Sequence, residues 1–217
     1  MRVVVVGGHG KVARLLAPLL VARGDVVVPL VRSPEHADEL AALGTQPALL
    51  DIESSDADDF AAVLAGADAV VFAAGAGPDG RADRKRTVDL EGSLKSQEGA
   101  RRAGVRRFVQ VSAIGVDEPV ADDTQAVWAA YVTAKRDADE ALRASGLDWT
   151  ILRPGALTDA PGTGLVRLGE SVPRGEVPRA DVAAVLAAVL ADDATTGHQW
   201  ELVGGDVPVE DAVRAAT

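Results

Sequence analysis

The chain has 217 residues, of which 47% are hydrophobic and 25% are charged, and this composition excludes a disordered or fibrous protein. Its net charge of −11 argues against nonspecific nucleic-acid binding, because that binding needs basic surface to neutralise phosphates. Cysteine is absent, which excludes disulfides, thiolate nucleophiles and cysteine-ligated metals. The apolar run Val3–Val6 is too short for a signal-peptide core, and no stretch reaches the roughly 18 to 20 apolar residues that span a bilayer. We therefore expect a cytoplasmic protein with no membrane or nucleic-acid partner.

Short β-branched runs alternate with longer amphipathic stretches along most of the chain. The sequence predicts strands at Val3–Val6, Val26–Val31, Ala48–Leu50, Asp68–Ala73, Phe108–Ser112 and Trp149–Leu152. Between them it predicts helices over Val12–Arg23, from Pro34 onward, and over Asp56–Leu64, Asp83–Ala103 and Ala129–Ala144. Fully apolar strands bounded by helices indicate a parallel sheet covered on both faces. The predicted fold class is therefore α/β, with a Rossmann-like doubly wound parallel sheet in a single domain.

About 60 residues follow Pro154-Gly155. They contain a Gly/Pro-rich stretch (Pro161–Pro178), a helix that opens at Asp181, a strand at Gln199–Val203 and a short terminal helix. We interpret residues 1–155 as the dinucleotide-binding core. Residues 156–217 are then a small substrate-side cap of the same domain.

The first predicted strand ends in a glycine-rich turn, and a helix begins at once. Gly7 permits the tight turn, Gly10 lets a pyrophosphate approach the backbone, and Ala13 is small enough for close helix packing. The free N–H groups and the positive end of the helix would meet the phosphates. We therefore include Lys11 and Val12 in the predicted phosphate site, although simple solvation of the helix face is an equal alternative for the Lys11 side chain.

The end of the second strand predicts the type of cofactor. NAD-selective sites usually carry an acidic residue there, whereas this chain has Arg32 and Ser33. Arg32 could bind a 2′-phosphate through charge-assisted hydrogen bonds, with a solvated arginine at a helix start as the alternative. Asp51 and Ile52 follow strand three, where adenine is commonly held, and Ala73-Ala74-Gly75 would let the cofactor pass close to the backbone. We expect NADP(H) to be preferred over NAD(H).

Later motifs extend this pattern. They are Gly7-x-x-Gly10-x-x-Ala13, Val109-x-Val111-Ser112, Tyr131-x-x-x-Lys135, the segment Asp148–Gly155 and the segment Arg179–Ala183. With them the chain resembles the short-chain dehydrogenase/reductase superfamily. More narrowly, it looks like the atypical branch of small NAD(P)-binding proteins that are NmrA-like or biliverdin-reductase-B-like and are often named NAD-dependent epimerases.

The resemblance implies a catalytic set. Tyr131 and Lys135 are four residues apart and so share one helix face. The Lys135 ammonium and a positive nicotinamide would lower the phenol's pKa from about 10, so that Tyr131 exchanges a proton as hydride moves. Lys135 would also hydrogen-bond the nicotinamide ribose, Ser112 would hydrogen-bond a substrate carbonyl, and Pro154 would lie at the cofactor. Asp89 stands where the main family carries Asn, and it would anchor a proton-relay water.

These features predict an NADP(H)-dependent oxidoreductase acting on a small carbonyl, quinone, flavin-like or sugar-nucleotide-derived compound. The alternative is a non-catalytic NADP(H)-binding sensor that regulates a partner protein. The substrate pocket would be built by Val116–Trp128 and Gly155–Pro178. His36 and His198 have no partner at metal-ligand spacing, so we expect no metal site. Monomer and homodimer both stay open.

Overall fold

A computed structural model describes residues 1–77, 81–121 and 124–217. The strands are β1 (Arg2–Val6), β2 (Val26–Val31), β3 (Ala48–Leu49), β4 (Ala69–Phe72), β5 (Arg107–Val111), β6 (Asp148–Pro154), β7 (Ala156–Thr158), β8 (Leu165–Gly169), β9 (Glu176–Pro178), β10 (His198–Gly204) and β11 (Val207–Pro208). The helices are α1 (Lys11–Ala22), α2 (Pro34–Ala41), α3 (Ala57–Leu64), α4 (Ala82–Arg84), α5 (Glu91–Ala103), α6 (Ala126–Ala144), α7 (Arg179–Ala191) and α8 (Val209–Ala216). A π-helical segment, Lys85–Leu90, joins α4 to α5.

A nine-stranded sheet has the order β11-β8-β10-β6-β5-β4-β1-β2-β3. From β10 to β3 all neighbouring strands are parallel. The chain runs outward from β1 to β3 and then returns to place β4 on the other side of β1, which creates a switch point at the carboxyl ends of β1 and β4. The predicted α/β doubly wound fold, in a single Rossmann-like domain, is confirmed.

The two faces of the sheet are covered by different helices. Successive β1 residues point to opposite faces, so Val3 and Val5 pack with the buried residues of α1, α7 and α8. Val4 and Val6 pack on the other face with Phe60 of α3 and with buried residues of α5 and α6. All four valines are at most 1% exposed. Because both faces of this strand are buried, its sequence is a continuous apolar run.

The last third of the chain extends the sheet with antiparallel edge strands. The stretch Pro161–Pro178 is not a loop throughout, because it contains β8 and β9, and β7 precedes it. β8 pairs antiparallel with both β10 and β11, so these three strands belong to the main sheet, whereas β7 and β9 form a separate two-stranded parallel sheet. The proposed division at residue 155 stays a prediction. No helix within the described ranges is long and apolar enough to cross a membrane, and the cytoplasmic location stays a prediction.

The predicted helix Asp83–Ala103 is interrupted rather than continuous. Its first part is the short α4 followed by the π-helical segment, and regular α-helix begins only at Glu91. The wider turn of a π-helix is common at functional sites. Here the segment packs against α6 and turns Lys85 and Asp89 into the protein interior, where both are buried.

Candidate functional site

A cavity of about 340 Å³ opens at the carboxyl ends of β1, β2, β3 and β4. Its lining includes eight of the predicted cofactor residues: Gly7, Gly10, Arg32, Asp51, Ile52, Ala73, Ala74 and Gly75. Parallel strands end at the same edge of a sheet, so residues from four separate strand ends are brought together there. Ser33 is outside the lining and precedes α2 as its N-cap residue.

The glycine turn requires glycine at one position and leaves room beside the backbone at another. Gly7 has φ +80°, and a Cβ there would lie 2.6 Å from the Ala74 Cα, so both conformation and packing require glycine. A Cβ on Gly10 would meet only the Gly7 carbonyl oxygen at 3.1 Å and the Ala73 carbonyl oxygen at 3.7 Å. A side chain at Gly10 would therefore occupy the cavity rather than the protein core. This cradle fits a dinucleotide pyrophosphate.

The first helical turn contributes backbone rather than side chains. α1 begins at Lys11, and its first N–H groups, including that of Val12, have no intrahelical acceptor. The Val12 side chain packs in the core. The Lys11 ammonium donates to an Asp159 carboxylate oxygen at 2.5 Å, and Arg179 binds the other oxygen. The Lys11 ammonium is thus paired with the C-terminal part of the chain, at an exposed position, and its contact with phosphate stays a prediction.

A pair of histidines lies beside Arg32 in the cavity wall. The rings of His9 and His36 stack with centroids 3.6 Å apart and planes 6° apart. His9 Nε2 lies 2.8 Å from a Glu39 carboxylate oxygen, and this hydrogen bond lowers the pKa of Glu39. Sequence reasoning missed this pairing, since the glycine turn and α2 are far apart in the chain. Arg32 itself is exposed at the end of β2, as a residue that meets a ligand from solvent must be.

Tyr131 and Lys135 occupy α6 beside the loop that follows β4. Lys135 is buried, and its Nζ donates to the carbonyl oxygens of Ala74 at 3.4 Å and Val111 at 3.2 Å. The same Nζ lies 3.3 Å from Asp89 Oδ1 and 6.0 Å from the centroid of the Tyr131 ring. Asp89 Oδ1 has no hydrogen-bond partner within the described part of the chain, so this contact is an ion pair. Lys135 therefore contacts both Ala74, in the wall of the cavity, and the ring of Tyr131.

Burial and nearby charges set the protonation of the pair in the protein without cofactor. Burial raises the pKa of Tyr131, and the Lys135 ammonium opposes this shift without reversing it, while the carboxylates of Asp89 and Asp139 add to it. The lowering of the Tyr131 pKa that we expect when a positive nicotinamide is bound stays a prediction. Burial alone would lower the pKa of Lys135, but Asp89 and Tyr131 outweigh it, and the pKa is raised. Both groups keep their protons at neutral pH.

Asp89 holds the loop after β4. Its Oδ2 accepts a hydrogen bond from the Ala76 backbone N–H at 3.0 Å, and the predicted role of Asp89 as the anchor of a water stays a prediction. Lys85, on the same π-helical segment, donates to the Gly77 carbonyl and lies 5.8 Å from the Tyr131 ring centroid. Lys85 was absent from the sequence-based site. The signal was its position four residues before Asp89, which places both on one face of the predicted helix.

Ser112 belongs to a buried polar network. Its hydroxyl donates to Asp139 at 2.8 Å, and Asp139 also accepts from Gln110 at 2.6 Å and from Arg153 at 2.9 Å. Burial raises the pKa of Asp139 in spite of these partners. Arg153 Nη1 also donates a hydrogen bond to Asp117 Oδ2 at the surface, over a distance of 2.5 Å. Ser112 therefore has an internal acceptor in this structure, and a hydrogen bond from Ser112 to a substrate carbonyl stays a prediction.

Two clues in the sequence pointed to this network. Asp139 lies four residues after Lys135 on the same helix face, and Arg153 is a charge inside an apolar strand. Pro154 is the next residue of that strand, and its carbonyl accepts from the Ile114 N–H at 3.0 Å. Pro154 is buried and does not line the described cavity, so its contact with cofactor stays a prediction.

Known proteins resemble this chain along most of its length. The sequence model of a family described as NAD(P)H-binding matches residues 7–193. The uncharacterized sugar epimerase YhfK of Bacillus subtilis is 35% identical over 215 residues, which cover 99% of each chain. A solved structure from Bacillus halodurans, provisionally named an NAD-dependent epimerase/dehydratase, superposes on this chain with a TM-score of 0.91. The two sequences are 38% identical, and the match covers 99% of each chain. A (4-alkanoyl-5-oxo-2,5-dihydrofuran-3-yl)methyl phosphate reductase from Streptomyces griseus is 31% identical over 91% of this chain and 64% of its own.

We predict that Gly10→Val abolishes dinucleotide binding while the fold survives. The valine side chain would fill the space beside the backbone. The free energy of unfolding should fall by only about 1 kcal/mol, because Gly10 is an N-cap residue with an ordinary negative φ. NADPH fluorescence enhancement measures binding and thermal unfolding measures stability. Gly7→Val is the contrast, because it should destabilise the protein itself. Normal NADPH binding by Gly10→Val would place the phosphates elsewhere.

We also predict that Arg153→Met lowers the free energy of unfolding by about 3–5 kcal/mol, because it leaves the buried Asp139 carboxylate without its counter-charge. Urea denaturation measures the change. Asp117→Ala is the matched control, and it should cost less than about 1 kcal/mol because Asp117 is 55% exposed. Equal effects of the two variants would contradict a structural role for the buried pair.

Proposed function

The chain belongs to the NAD(P)H-binding family, and on this premise we propose that it is an NADP(H)-dependent reductase of a small conjugated carbonyl compound. The resemblance to atypical short-chain dehydrogenase/reductases is confirmed by the family match and the close relatives. The observation that carries the proposal is the Tyr131–Lys135 pair, whose ammonium binds the Ala74 carbonyl in the wall of the cavity.

The cofactor, when bound, supplies the hydride. The chain's own groups then provide position and a proton. Tyr131 donates its phenolic proton to the carbonyl oxygen as negative charge develops there. Lys135 stabilises the resulting phenolate by its positive charge and would hold the ribose, as in the family it resembles. The Asp89 carboxylate keeps Lys135 charged inside a largely buried site.

The protonation of Tyr131 favours reduction over oxidation. A phenol with a raised pKa stays protonated through neutral pH, which is the form needed to give a proton. Oxidation of an alcohol would instead need the phenolate as base, and the burial of Tyr131 disfavours that form. We therefore propose that the protein works with NADPH in the reducing direction.

Arg32 supports the choice of NADP(H). It is exposed, it lines the cavity at the end of β2, and no carboxylate stands beside it in sequence to bind a ribose 2′-hydroxyl. A guanidinium is suited to a 2′-phosphate because it offers several N–H donors in a fixed plane. The neighbouring His9–His36 stack adds nitrogen donors on the same side.

The substrate class is proposed from chemistry and from one relative. The name of the Streptomyces griseus reductase describes a ring in which an oxo group is conjugated with a double bond and an alkanoyl group. Conjugation lowers the barrier to hydride addition and keeps the substrate flat. A small-molecule partner of this class would use the Tyr131 side of the cavity, with no protein or nucleic-acid partner required.

A second candidate is a non-catalytic NADP(H) sensor. It is favoured by the internal engagement of two groups of the expected catalytic set, since Lys135 pairs with Asp89 and Ser112 donates to Asp139. In a sensor these contacts would stabilise a cofactor-free state, and a partner protein would distinguish the oxidised from the reduced cofactor.

We predict that wild-type protein binds NADPH more tightly than NADH and that Arg32→Ala removes most of this preference. Loss of a charge-assisted contact should cost about 1.5–3 kcal/mol for NADPH and little for NADH. Isothermal titration calorimetry with both cofactors measures the effect. Arg214→Ala is the matched control, since that arginine is 74% exposed on α8 and distant in sequence from the cavity residues. Equal wild-type affinities would refute the preference.

We predict that Tyr131→Phe lowers turnover about 100-fold or more, the scale for loss of a general acid, with NADPH affinity nearly unchanged. Lys135→Ala should reduce both turnover and affinity. Reduction by the wild type should not fall between about pH 6 and about 9, because the phenol keeps its proton there. Stopped-flow and steady-state assays with a panel of quinones, enones and aldehydes measure these changes.

The same panel separates enzyme from sensor. A sensor would reduce no compound, and it would bind a partner in a manner set by the ratio of NADPH to NADP. If a substrate is reduced at the wild-type rate by Tyr131→Phe, the assignment of Tyr131 as the acid is wrong, although the cofactor assignment survives.

A further inference from the structure

Trp128 exposes an unusually large apolar surface. It lies in the first turn of α6, and 56% of the residue is accessible to solvent. By contrast, Trp200 is 1% exposed, and Trp149 packs against a hydrophobic core cluster. A tryptophan brings a large hydrophobic surface and normally buries most of it. The open indole therefore needs an explanation that core packing does not supply.

The indole borders the proton donor. Trp128 and Tyr131 are three residues apart and share a helix face, and their ring centroids are 5.2 Å apart with planes tilted by 34°. The ammonium groups of Lys85 and Lys135 lie 5.8 Å and 6.0 Å from the Tyr131 ring centroid. The phenol is thus bordered by two cationic groups and by one aromatic ring that solvent reaches.

We propose that Trp128 is the surface on which the flat ring of the substrate stacks when its carbonyl accepts the Tyr131 proton. Aromatic rings pair favourably in offset or tilted arrangements with centroids about 4.5–7 Å apart. A ring conjugated with the reacting carbonyl would extend from Tyr131 across the neighbouring indole. Quinone and enone rings are electron-poor and indole is electron-rich, which favours this stack. The inference rests on the proposed reductase function and narrows its substrate class to planar conjugated rings over open-chain carbonyls.

Binding is tested without turnover. The protein is saturated with NADP⁺, which carries no hydride, and menadione is added while tryptophan emission is recorded. We expect saturable quenching in the wild type and in Trp149→Phe, and its loss in Trp128→Leu. Circular dichroism and thermal unfolding confirm that each variant is folded. Quenching that is unchanged in Trp128→Leu, or that rises linearly without saturation, overturns the proposal.

Kinetics with NADPH supply the second readout. Trp128→Leu should raise KM for menadione roughly tenfold, the scale of one lost aromatic pair, with kcat within about threefold. Trp128→Phe should restore most of the loss. The same variants should leave KM for methylglyoxal, which has no ring, within about twofold. Equal losses for both substrates would overturn a stacking role.

The two proposals fail separately. Saturable quenching that depends on Trp128, without reduction of any carbonyl compound, would support the aromatic binding site and contradict the reductase function. Reduction of carbonyl compounds, with quenching that does not depend on Trp128, would contradict the stacking site and leave the reductase function supported. A concentration-dependent blue shift of Trp128 emission without ligand, together with dimer mass in light scattering, would identify the face as an interface between copies and overturn the proposal.

Discussion

The loop that follows β4 is held in place by three buried ionisable side chains. Asp89 accepts from the Ala76 N–H, Lys85 donates to the Gly77 carbonyl, and Lys135 donates to the Ala74 carbonyl. The same loop closes one wall of the cofactor cavity and crowds the Gly7 turn from the other side. The cavity and the Tyr131 phenol are therefore not independent. The side chains that hold the cavity wall, Asp89, Lys85 and Lys135, also carry the charges beside the phenol.

The positive groups near the site bear on how an acidic protein can hold an anionic cofactor. The whole chain carries a net charge of −11, yet the ammonium groups of Lys85 and Lys135 lie 5.8 Å and 6.0 Å from the Tyr131 ring centroid. The carboxylates of Asp89 and Asp139 act on the same phenol, and the cavity lining holds Arg32 and Arg84 together with Asp51 and Glu53. Charges act most strongly where water is excluded, so the local balance matters more at the site than the distant surface charge. The cationic groups nearest the cavity are therefore the ones that would offset the charge of a bound phosphate.

The sequence predicted what depends on neighbours in the chain. Gly7, Gly10 and Arg32 were found because a turn, a helix start and a strand end are local features. The Ser112–Asp139–Arg153 network was missed because its members come from β5, α6 and β6, and only the fold brings them together. The edge strands were missed because short antiparallel strands in a Gly/Pro-rich stretch lack the apolar run of a buried parallel strand. The raised pKa of Tyr131 was also out of reach, since burial is a property of the folded protein.

The exchange of the family's Asn for Asp89 can be understood from the charges it faces. An asparagine could accept from the Ala76 N–H equally well, so holding the loop does not require a carboxylate. Two ammonium groups beside one phenol do create such a requirement, because like charges in a site of low dielectric repel each other strongly and a neutral amide would offset neither. Lys85 brings the second of these charges, and Asp89 accompanies it on the same π-helical segment. Asp89 pairs directly with Lys135 and keeps it charged beside the protonated Tyr131, the combination that the proposed proton donation to a carbonyl needs.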